Sequence, residues 1–200
     1  MVTRLFGKKN ATEILIVSGL PRSGTSMMMK MLDAGGIPPL TDHVRSADED
    51  NPEGYYEFER VKKLREGDHA WLSEAKGKAV KVIATLLVNL PDNYNYRVIF
   101  MRRHMPEILA SQRKMLVRRG KDPDAVSDAE IARLFEQHLR DVEEWMRLQP
   151  NVTYLDVSYN ELVQDPANFI GQVNAFLGGR IDVQKAVQVI DPNLYRQRAD

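Results

Sequence analysis

Residues 18–26 combine glycines, hydroxyl side chains and one cation in a pattern suited to holding an anionic group. The stretch reads Ser-Gly-Leu-Pro-Arg-Ser-Gly-Thr-Ser, with Gly19 and Gly24 five residues apart. This is the glycine spacing of the phosphate-binding loop G-x-x-x-x-G-K-[ST], in which backbone N–H groups surround a phosphate. Thr25 stands where that loop has its lysine, and the cation is Arg22 instead. The pattern therefore predicts a phosphate-like ligand, but not the usual nucleoside triphosphatase loop.

The segments on either side would position this turn. Residues 14–17 form an apolar, β-branched run typical of a buried parallel strand. Residues 24–34 favour a helix that ends at the glycine pair 35–36. Strand, turn and helix in this order place backbone N–H groups and a positive helix end around an anion. We interpret the methionines of the helix as core residues, namely Met27, Met28, Met29 and Met31.

Strands and helices alternate along the rest of the chain. Apolar runs predict strands at residues 78–87, 96–101 and 152–157. Apolar periodicity predicts helices at about 57–75, 106–119, 127–148 and 166–177, and a short one near 182–190. Such alternation is typical of an α/β fold, here a three-layer P-loop-type fold with a central, mainly parallel sheet flanked by helices. Ligands of these sheets bind at the carboxyl ends of strands, so the turn at 19–26 and the arginine pair 102–103 are expected on one rim.

Composition narrows the class of protein. The chain has 200 residues, which predicts one domain over 1–200 with a polar lead-in at 1–12 and a polar tail at 191–200. Lys plus Arg and Asp plus Glu both number 28, so the formal net charge is zero, which argues against a nucleic-acid partner. The chain has no cysteine and four histidines without metal-binding spacing, so no metal is expected. No segment has the length and apolarity of a membrane span or a signal peptide, and we expect a cytoplasmic protein.

Two motifs resemble those of one enzyme family. Residues 21–26, Pro-Arg-Ser-Gly-Thr-Ser, closely resemble the 5′-phosphosulfate loop of sulfotransferases, and the arginine form is more similar to the tyrosylprotein and bacterial branches than to the cytosolic one. The stretch FMRRHMPEILASQ resembles the family's 3′-phosphate site, in which an arginine at a strand end and a serine eight residues later bind one phosphate. Arg103 and Ser111 have that spacing, with Arg102 as the alternative. Residues 159–166 resemble the segment Y-E-D-L-x-x-D-P, which we assign to packing and a helix start.

The resemblance implies an activity and a donor. The implied reaction is in-line transfer of a sulfuryl group from 3′-phosphoadenosine 5′-phosphosulfate to a hydroxyl or amine acceptor. Arg22, together with backbone N–H groups, would stabilise the charge that develops on the leaving phosphate. Donor-binding residues implied by the two motifs are Gly19, Pro21, Arg22, Ser23, Gly24, Thr25, Ser26, Arg103 and Ser111.

For the acceptor of the sulfuryl group, the sequence offers candidate residues and segments but no motif. In related enzymes a Glu or His after the phosphosulfate-loop helix is the general base, and the candidates here are Glu57, then Glu53, then His43. The segments at 38–56 and 120–130 are expected to shape the acceptor pocket, for a small molecule or a glycan. Arg196 and Arg198 could fold back onto the nucleotide or belong to a solvated tail, and the oligomeric state stays open.

Two other functions fit parts of the pattern. A P-loop kinase would use a nucleoside triphosphate and Mg²⁺, and Asp156 at the end of an apolar run resembles a loose Walker B aspartate. Such an enzyme would also need a lysine directly after Gly24, which the chain lacks. A non-catalytic nucleotide-binding protein would keep the same cleft without a general base.

Overall fold

The computed structural model describes residues 13–42, 44 and 54–190. The predicted polar ends, with Arg196 and Arg198, lie outside these residues, as do two of the candidate bases, His43 and Glu53.

In the described part of the chain, four strands form one sheet in the order β2-β1-β3-β4, and every neighbouring pair is parallel. The strands are β1 Glu13–Gly19, β2 Ala79–Lys81, β3 Asn95–Arg102 and β4 Val152–Ser158. β1 pairs with β3 along its whole length, with Gly19 opposite Met101. Because the chain places β2 on one side of β1 and β3 on the other, the carboxyl ends of β1 and β3 flank the position where such sheets bind ligands.

Helices cover both faces of the sheet. The α-helices are α1 Thr25–Ala34, α2 Met105–Arg118, α3 Asp128–Leu148, α4 Tyr159–Gln164, α5 Pro166–Phe176 and α6 Val183–Gln188. Three 3₁₀ helices lie between α1 and β3, at Glu59–Glu66, Ala70–Ala75 and Ala84–Asn89. Within the described ranges, none of the helices combines the length and apolarity needed to cross a bilayer.

The two faces of the sheet bury separate cores, because successive strand residues point to opposite sides. Ile14 and Ile16 of β1 pack on one face with the 3₁₀ helices and the carboxyl half of α3. Leu15 and Val17 pack on the other face with α1, α5 and α6. The three-layer α/β prediction is therefore confirmed.

The methionines of α1 lie in the second core. Met28, Met29 and Met31 are fully buried, whereas Met27 is half-buried. The prediction that they are core residues is confirmed for the first three. Because α1 begins at the end of the predicted anion-binding turn, their burial fixes the helix that supports that turn.

The single helix predicted for residues 57–75 is wrong. Two 3₁₀ helices stand there, separated at Gly67, whose φ is +83°. Beyond this break the Trp71 indole donates to the carbonyl oxygen of Asp68 at 2.9 Å, and the indole is fully buried. A period of three and one of 3.6 both put apolar residues on one face of a short segment, so the apolar pattern fits either helix.

The strand predicted for residues 78–87 is correct only at its start. The N–H of Val82 still donates to Val17 at 3.0 Å, but the chain then leaves the sheet. Leu86 and Leu87 enter the core from a 3₁₀ helix instead. A short apolar run does not distinguish a buried strand from a buried helix.

The later elements follow the predictions more closely. The remaining predicted strands and helices are present within one or two residues of their expected bounds. The exception is α4, an additional short helix whose amino end is capped by Ser158, since its hydroxyl accepts the Glu161 N–H at 3.3 Å. This helix brings Tyr159 and Asn160 to the rim formed by the ends of β1 and β3.

We expect Met29→Ala to lower the free energy of unfolding by about 2–5 kcal/mol, because the substitution empties a fully buried volume under α1. Met27→Ala is the matched control, since its side chain is only half-buried and should cost clearly less. Urea unfolding of both variants tests this. Equal losses would contradict the assignment of Met29 to the core.

Candidate functional site

The turn between β1 and α1 depends on two glycines. Gly19 has φ +151°, and a Cβ placed on it would lie 2.7 Å from the carbonyl oxygen of Met101 on β3. Gly24 has φ +97°, and its Cβ would lie 2.3 Å from the ring of Tyr159 on α4. Glycine alone combines such backbone angles with so close an approach. The turn is therefore packed directly against the end of β3 and the start of α4.

The amino end of α1 faces this turn without a cap of its own. Gly24 occupies the capping position and has no side chain to accept the first N–H groups of the helix. The first turn, which starts at Thr25, contains no acidic residue. An anion is the natural partner of such a helix end, because it accepts backbone N–H groups and interacts favourably with the helix dipole.

The other residues of the turn differ in their exposure. Pro21 is exposed, whereas Thr25 and Ser26 are half-buried. Ser23 is fully buried, and its hydroxyl has no hydrogen-bond partner among the described residues. Its N–H donates to the carbonyl oxygen of Leu20 at 3.2 Å. Ser23 thus shapes the turn from inside, while Thr25 and Ser26 carry hydroxyl groups closer to the surface.

Arg22 is held by both members of the predicted second motif. Its φ of +71° is a left-handed conformation that a residue other than glycine keeps only when its surroundings impose it. Its Nε donates to the hydroxyl of Ser111 at 2.8 Å. Its carbonyl oxygen accepts a hydrogen bond from the guanidinium of Arg103 at 3.1 Å. The cation of the turn therefore meets the arginine and the serine that the eight-residue spacing selected.

The alternative arginine, Arg102, lies in a different environment. Its guanidinium pairs with Asp156 at 2.7 Å and with Glu143 of α3 at 2.5 Å. Successive residues at the end of a strand project to opposite sides, which separates Arg102 from Arg103. The geometry thus places Arg103 beside the turn, and it gives Asp156 a cation as its partner.

Tyr159 lies at the centre of the same rim. Its ring contacts the position of Gly24 from one side, and the guanidinium of Arg103 lies 4.5 Å from its ring centroid. This distance is within the range of a favourable cation–π contact. The packing role expected for residues 159–166 is thus observed for Tyr159, and its packing partners are the site residues themselves.

Lys81 is a candidate site residue that the sequence analysis missed. It is the last residue of β2, and its Nζ donates to the Ser26 hydroxyl at 2.9 Å and to the Tyr55 carbonyl at 2.6 Å. Its charge thus lies against the first turn of α1, on the opposite side of the turn from Arg103. The position at a strand end could have identified it, but the overlong strand predicted for residues 78–87 hid that end.

Glu57 is the one candidate base that falls within the described residues. Its side chain is 22% exposed, and its carboxylate lies 3.9 Å from the Nζ of Lys62. Glu57 follows Tyr55 by two residues, and Tyr55 contacts Lys81. Glu57 therefore lies two residues along the chain from the residue that contacts Lys81.

A pair of hydrogen bonds closes the base of the long connection that precedes Glu57. The Thr41 hydroxyl donates to the carbonyl oxygen of Glu57 at 2.8 Å, and the N–H of Glu59 donates to the carboxylate of Asp42 at 2.7 Å. Burial alone would raise the pKa of Asp42, but hydrogen bonds from the N–H groups of Glu59 and Val44 outweigh it and lower the pKa below its usual value. An ionised Asp42 carboxylate strengthens its bonds to these two N–H groups, so it holds the backbone at Glu59, while Thr41 holds the carbonyl of Glu57.

Residues 13–42, 44 and 54–190 contain no cluster of three or more His, Cys, Asp or Glu side chains arranged to hold an ion. The groups that converge on the turn are hydroxyls and cations, a set that suits an anion.

The profile of the Sulfotransferase family matches residues 56–182, which is more than half of the chain. A comparison with curated proteins finds no significant match. Among solved structures, the chain is similar to the sulfotransferase domain of the Synechococcus PCC 7002 olefin synthase, with a TM-score of 0.56 and 18% identity over 96% of this chain and 85% of that one. It is also similar to a sulfotransferase from Mycobacterium tuberculosis H37Rv, with a TM-score of 0.56 and 13% identity over 94% and 76% of the two chains. At these identities the structural likeness establishes the fold.

We expect Gly24→Ala to destabilise the protein more than Gly36→Ala does. Both glycines have nearly the same φ, +97° and +98°, so both alanines strain the backbone by a similar amount, about 1–3 kcal/mol. Only the alanine at 24 would also meet the Tyr159 ring, since nothing lies within 4 Å of a Cβ at 36. Denaturant unfolding of the two variants measures the difference. Equal destabilisation would show that the turn is not pressed against Tyr159.

Proposed function

The chain belongs to the sulfotransferase family, and we propose that it transfers a sulfuryl group from 3′-phosphoadenosine 5′-phosphosulfate to a hydroxyl or amine acceptor. The observation that carries this proposal is the contact of the two predicted phosphate motifs through Arg22. Its side chain reaches Ser111 and its carbonyl oxygen accepts from Arg103, so one residue links both phosphate positions.

The residues present fit a donor with an anionic group at each end of a nucleoside. The 5′ group would lie at the amino end of α1, beside Thr25, Ser26 and Lys81. The 3′-phosphate would lie beside Arg103 and Ser111, which supply a planar fork of donors and a hydroxyl. The bound donor supplies an activated sulfuryl group with a nucleotide leaving group.

The same side chains suit the charge changes of an in-line displacement. As the acceptor oxygen or nitrogen attacks sulfur, negative charge grows on the leaving 5′-phosphate. Lys81 and the helix N–H groups lie around that position, and we assign the Arg22 guanidinium, whose Nε donates to Ser111, to the same charge. A single preorganised donor is typically worth about 100- to 1,000-fold in rate. Lys81 extends the set of charge-stabilising residues beyond those in the loop motif.

The acceptor side of the reaction needs a general base and a pocket for the acceptor. We assign proton removal from the acceptor to Glu57, with Glu53 and His43 as the alternatives. The hydrogen bonds from Thr41 and to Asp42 support Glu57, because they hold the backbone at Glu57 and Glu59, and Tyr55, two residues before Glu57, contacts Lys81. The segments at 38–56 and 120–130 would then bound the pocket for a small-molecule or glycan acceptor.

Binding of 3′-phosphoadenosine 5′-phosphate tests the donor site. At about 100 times its dissociation constant, the ligand should stabilise the protein by about 2.7 kcal/mol. For a chain of this length that is roughly 5–10 °C in Tm, measured as a thermal shift without Mg²⁺. Arg103→Ala should abolish the shift. Arg102→Ala should retain it, because that arginine pairs with Glu143 and Asp156 away from the turn.

A different ligand preference would redirect the assignment. A shift with ATP or GTP that requires Mg²⁺, without one for the bisphosphate, would indicate a P-loop kinase. A shift with the bisphosphate that is equal in both arginine variants would leave the family intact but remove the 3′-phosphate site from Arg103.

Glu57→Gln should slow sulfuryl transfer by about 100- to 10,000-fold while leaving bisphosphate binding unchanged, because the amide cannot accept the acceptor's proton. The control is Glu59→Gln, which removes a nearby carboxylate that pairs with Lys62. Transfer from labelled donor to a panel of phenols, alcohols, amines and sugars provides the measurement. An unchanged rate in Glu57→Gln would shift the base to Glu53 or His43. If the wild-type protein binds the bisphosphate but no acceptor on the panel reacts, the non-catalytic alternative gains support.

A further inference from the structure

Glu107 is a buried carboxylate beside the proposed donor site, and it lies inside the stretch FMRRHMPEILASQ, in which the resemblance assigns roles to an arginine and a serine alone. It lies in the first turn of α2 and is 2% exposed. One of its oxygens accepts from the Nε of Arg103 at 2.8 Å, and the other accepts from the Nδ2 of Asn160 at 2.8 Å. Both carboxylate oxygens therefore have a directed partner.

Asn160 is itself fixed on both sides. It is 4% exposed, and its Oδ1 accepts the backbone N–H of His104 at 3.2 Å while its Nδ2 donates to Glu107. The first of these bonds orients the amide, because the oxygen must face the N–H and the nitrogen must then face Glu107. The start of α2 and the start of α4 are thus joined through one side chain.

Arg103 is constrained from three directions as a result. Glu107 takes its Nε, the carbonyl oxygen of Arg22 takes one terminal nitrogen, and the ring of Tyr159 lies 4.5 Å from the guanidinium. Its side chain is only 8% exposed. A guanidinium held in this way has a fixed plane, which is what two-point recognition of a phosphate requires.

The free-energy cost of burying the Arg103–Glu107 ion pair indicates that the pair orients the guanidinium. Burying an ion pair costs desolvation of both charges, and a buried pair is often no more stable than apolar side chains of the same size. Glu107 also offsets part of the positive charge of Arg103, which by itself would weaken the attraction of a phosphate. Glu107 therefore has two opposite effects on an anionic ligand. It favours binding by fixing the orientation of the Arg103 guanidinium, and it disfavours binding through its own negative charge.

We infer that Glu107, held by Asn160, is a positioning residue that aims Arg103 at the 3′-phosphate and so sets the selectivity for 3′-phosphorylated nucleotides. The inference rests on the proposed donor site. It assigns to Glu107 and Asn160 an effect on the 3′-phosphate. An effect passed to the turn through the bond from Arg103 to the Arg22 carbonyl would weaken ligands with and without that phosphate alike.

The test compares the dissociation constants of 5′-AMP and of 3′-phosphoadenosine 5′-phosphate by calorimetry. The ratio used is the dissociation constant of 5′-AMP divided by that of the bisphosphate. It isolates the contribution of the 3′-phosphate, because the two ligands otherwise share the same groups. Glu107→Gln should lower this ratio by about 10- to 100-fold, the range for losing the direction of a charge-assisted hydrogen bond. Asn160→Ala should lower it as well, by a smaller factor, because the Arg103–Glu107 pair remains but loses its outer support.

The direction in which the ratio changes in Glu107→Gln distinguishes a positioning role of Glu107 from a purely electrostatic one. If only the field mattered, Glu107→Gln would raise the ratio, since it removes a negative charge beside the arginine. If Glu107 served only stability, both ligands would weaken together and the ratio would stay constant. Either result overturns the inference.

Two further variants keep the experiment decisive. Glu161→Gln removes an exposed carboxylate next to Asn160 and should leave the ratio unchanged. If Glu107→Gln does not fold, Asn160→Ala provides the test, because it leaves Arg103 and Glu107 paired. An unaltered ratio in Asn160→Ala then overturns the inference. A wild-type protein that binds both ligands equally would refute the donor site itself, a result distinct from any change among the variants.

Discussion

Two hydrogen bonds at Arg22 join the turn after β1 to the beginning of α2, and the arrangement of the site depends on them. They are possible because β1 and β3 are neighbouring parallel strands in register, so their carboxyl ends lie one strand spacing apart, about 4.8 Å. The turn leaves one strand and α2 follows the other. Residues 89 positions apart in the chain, Arg22 and Ser111, thereby come within 2.8 Å.

The two arginines at the end of β3 differ in burial, since the Arg103 side chain is 8% exposed and that of Arg102 is 27% exposed. Arg102 pairs with carboxylates that are each 46% exposed, where solvent screens the charges and an ion pair contributes little to stability. Arg103 pairs with Glu107, which is fully buried, and its guanidinium also contacts the turn and an aromatic ring. Such a pair is hard to justify by stability alone. The pair instead fixes the orientation of the Arg103 guanidinium at the point where an anion would approach.

The early end of β2 completes the other side of the site. Because the strand stops at Lys81, this side chain lies at the rim and reaches Ser26. Had the strand continued through residue 87, Lys81 would lie within the sheet. The chain instead turns into a 3₁₀ helix, and the segment around Tyr55 passes over the lysine, which brings the region of Glu57 towards the turn.

The sequence alone determined the fold class and the strand–turn–helix unit around 19–26, and it identified Arg103 and Ser111 as candidates, because these depend on short-range patterns: apolar runs, glycine spacing and an interval of eight residues. It could not distinguish the 3₁₀ segments from an α-helix and a strand, since short apolar runs fit each of them. The tertiary structure agrees with the spacing in placing Arg103, and not Arg102, beside the turn, and it alone introduced Lys81, Glu107 and Asn160. Their partners come from other elements, so their roles follow from burial and from which strand ends are neighbours. No local pattern contains that information.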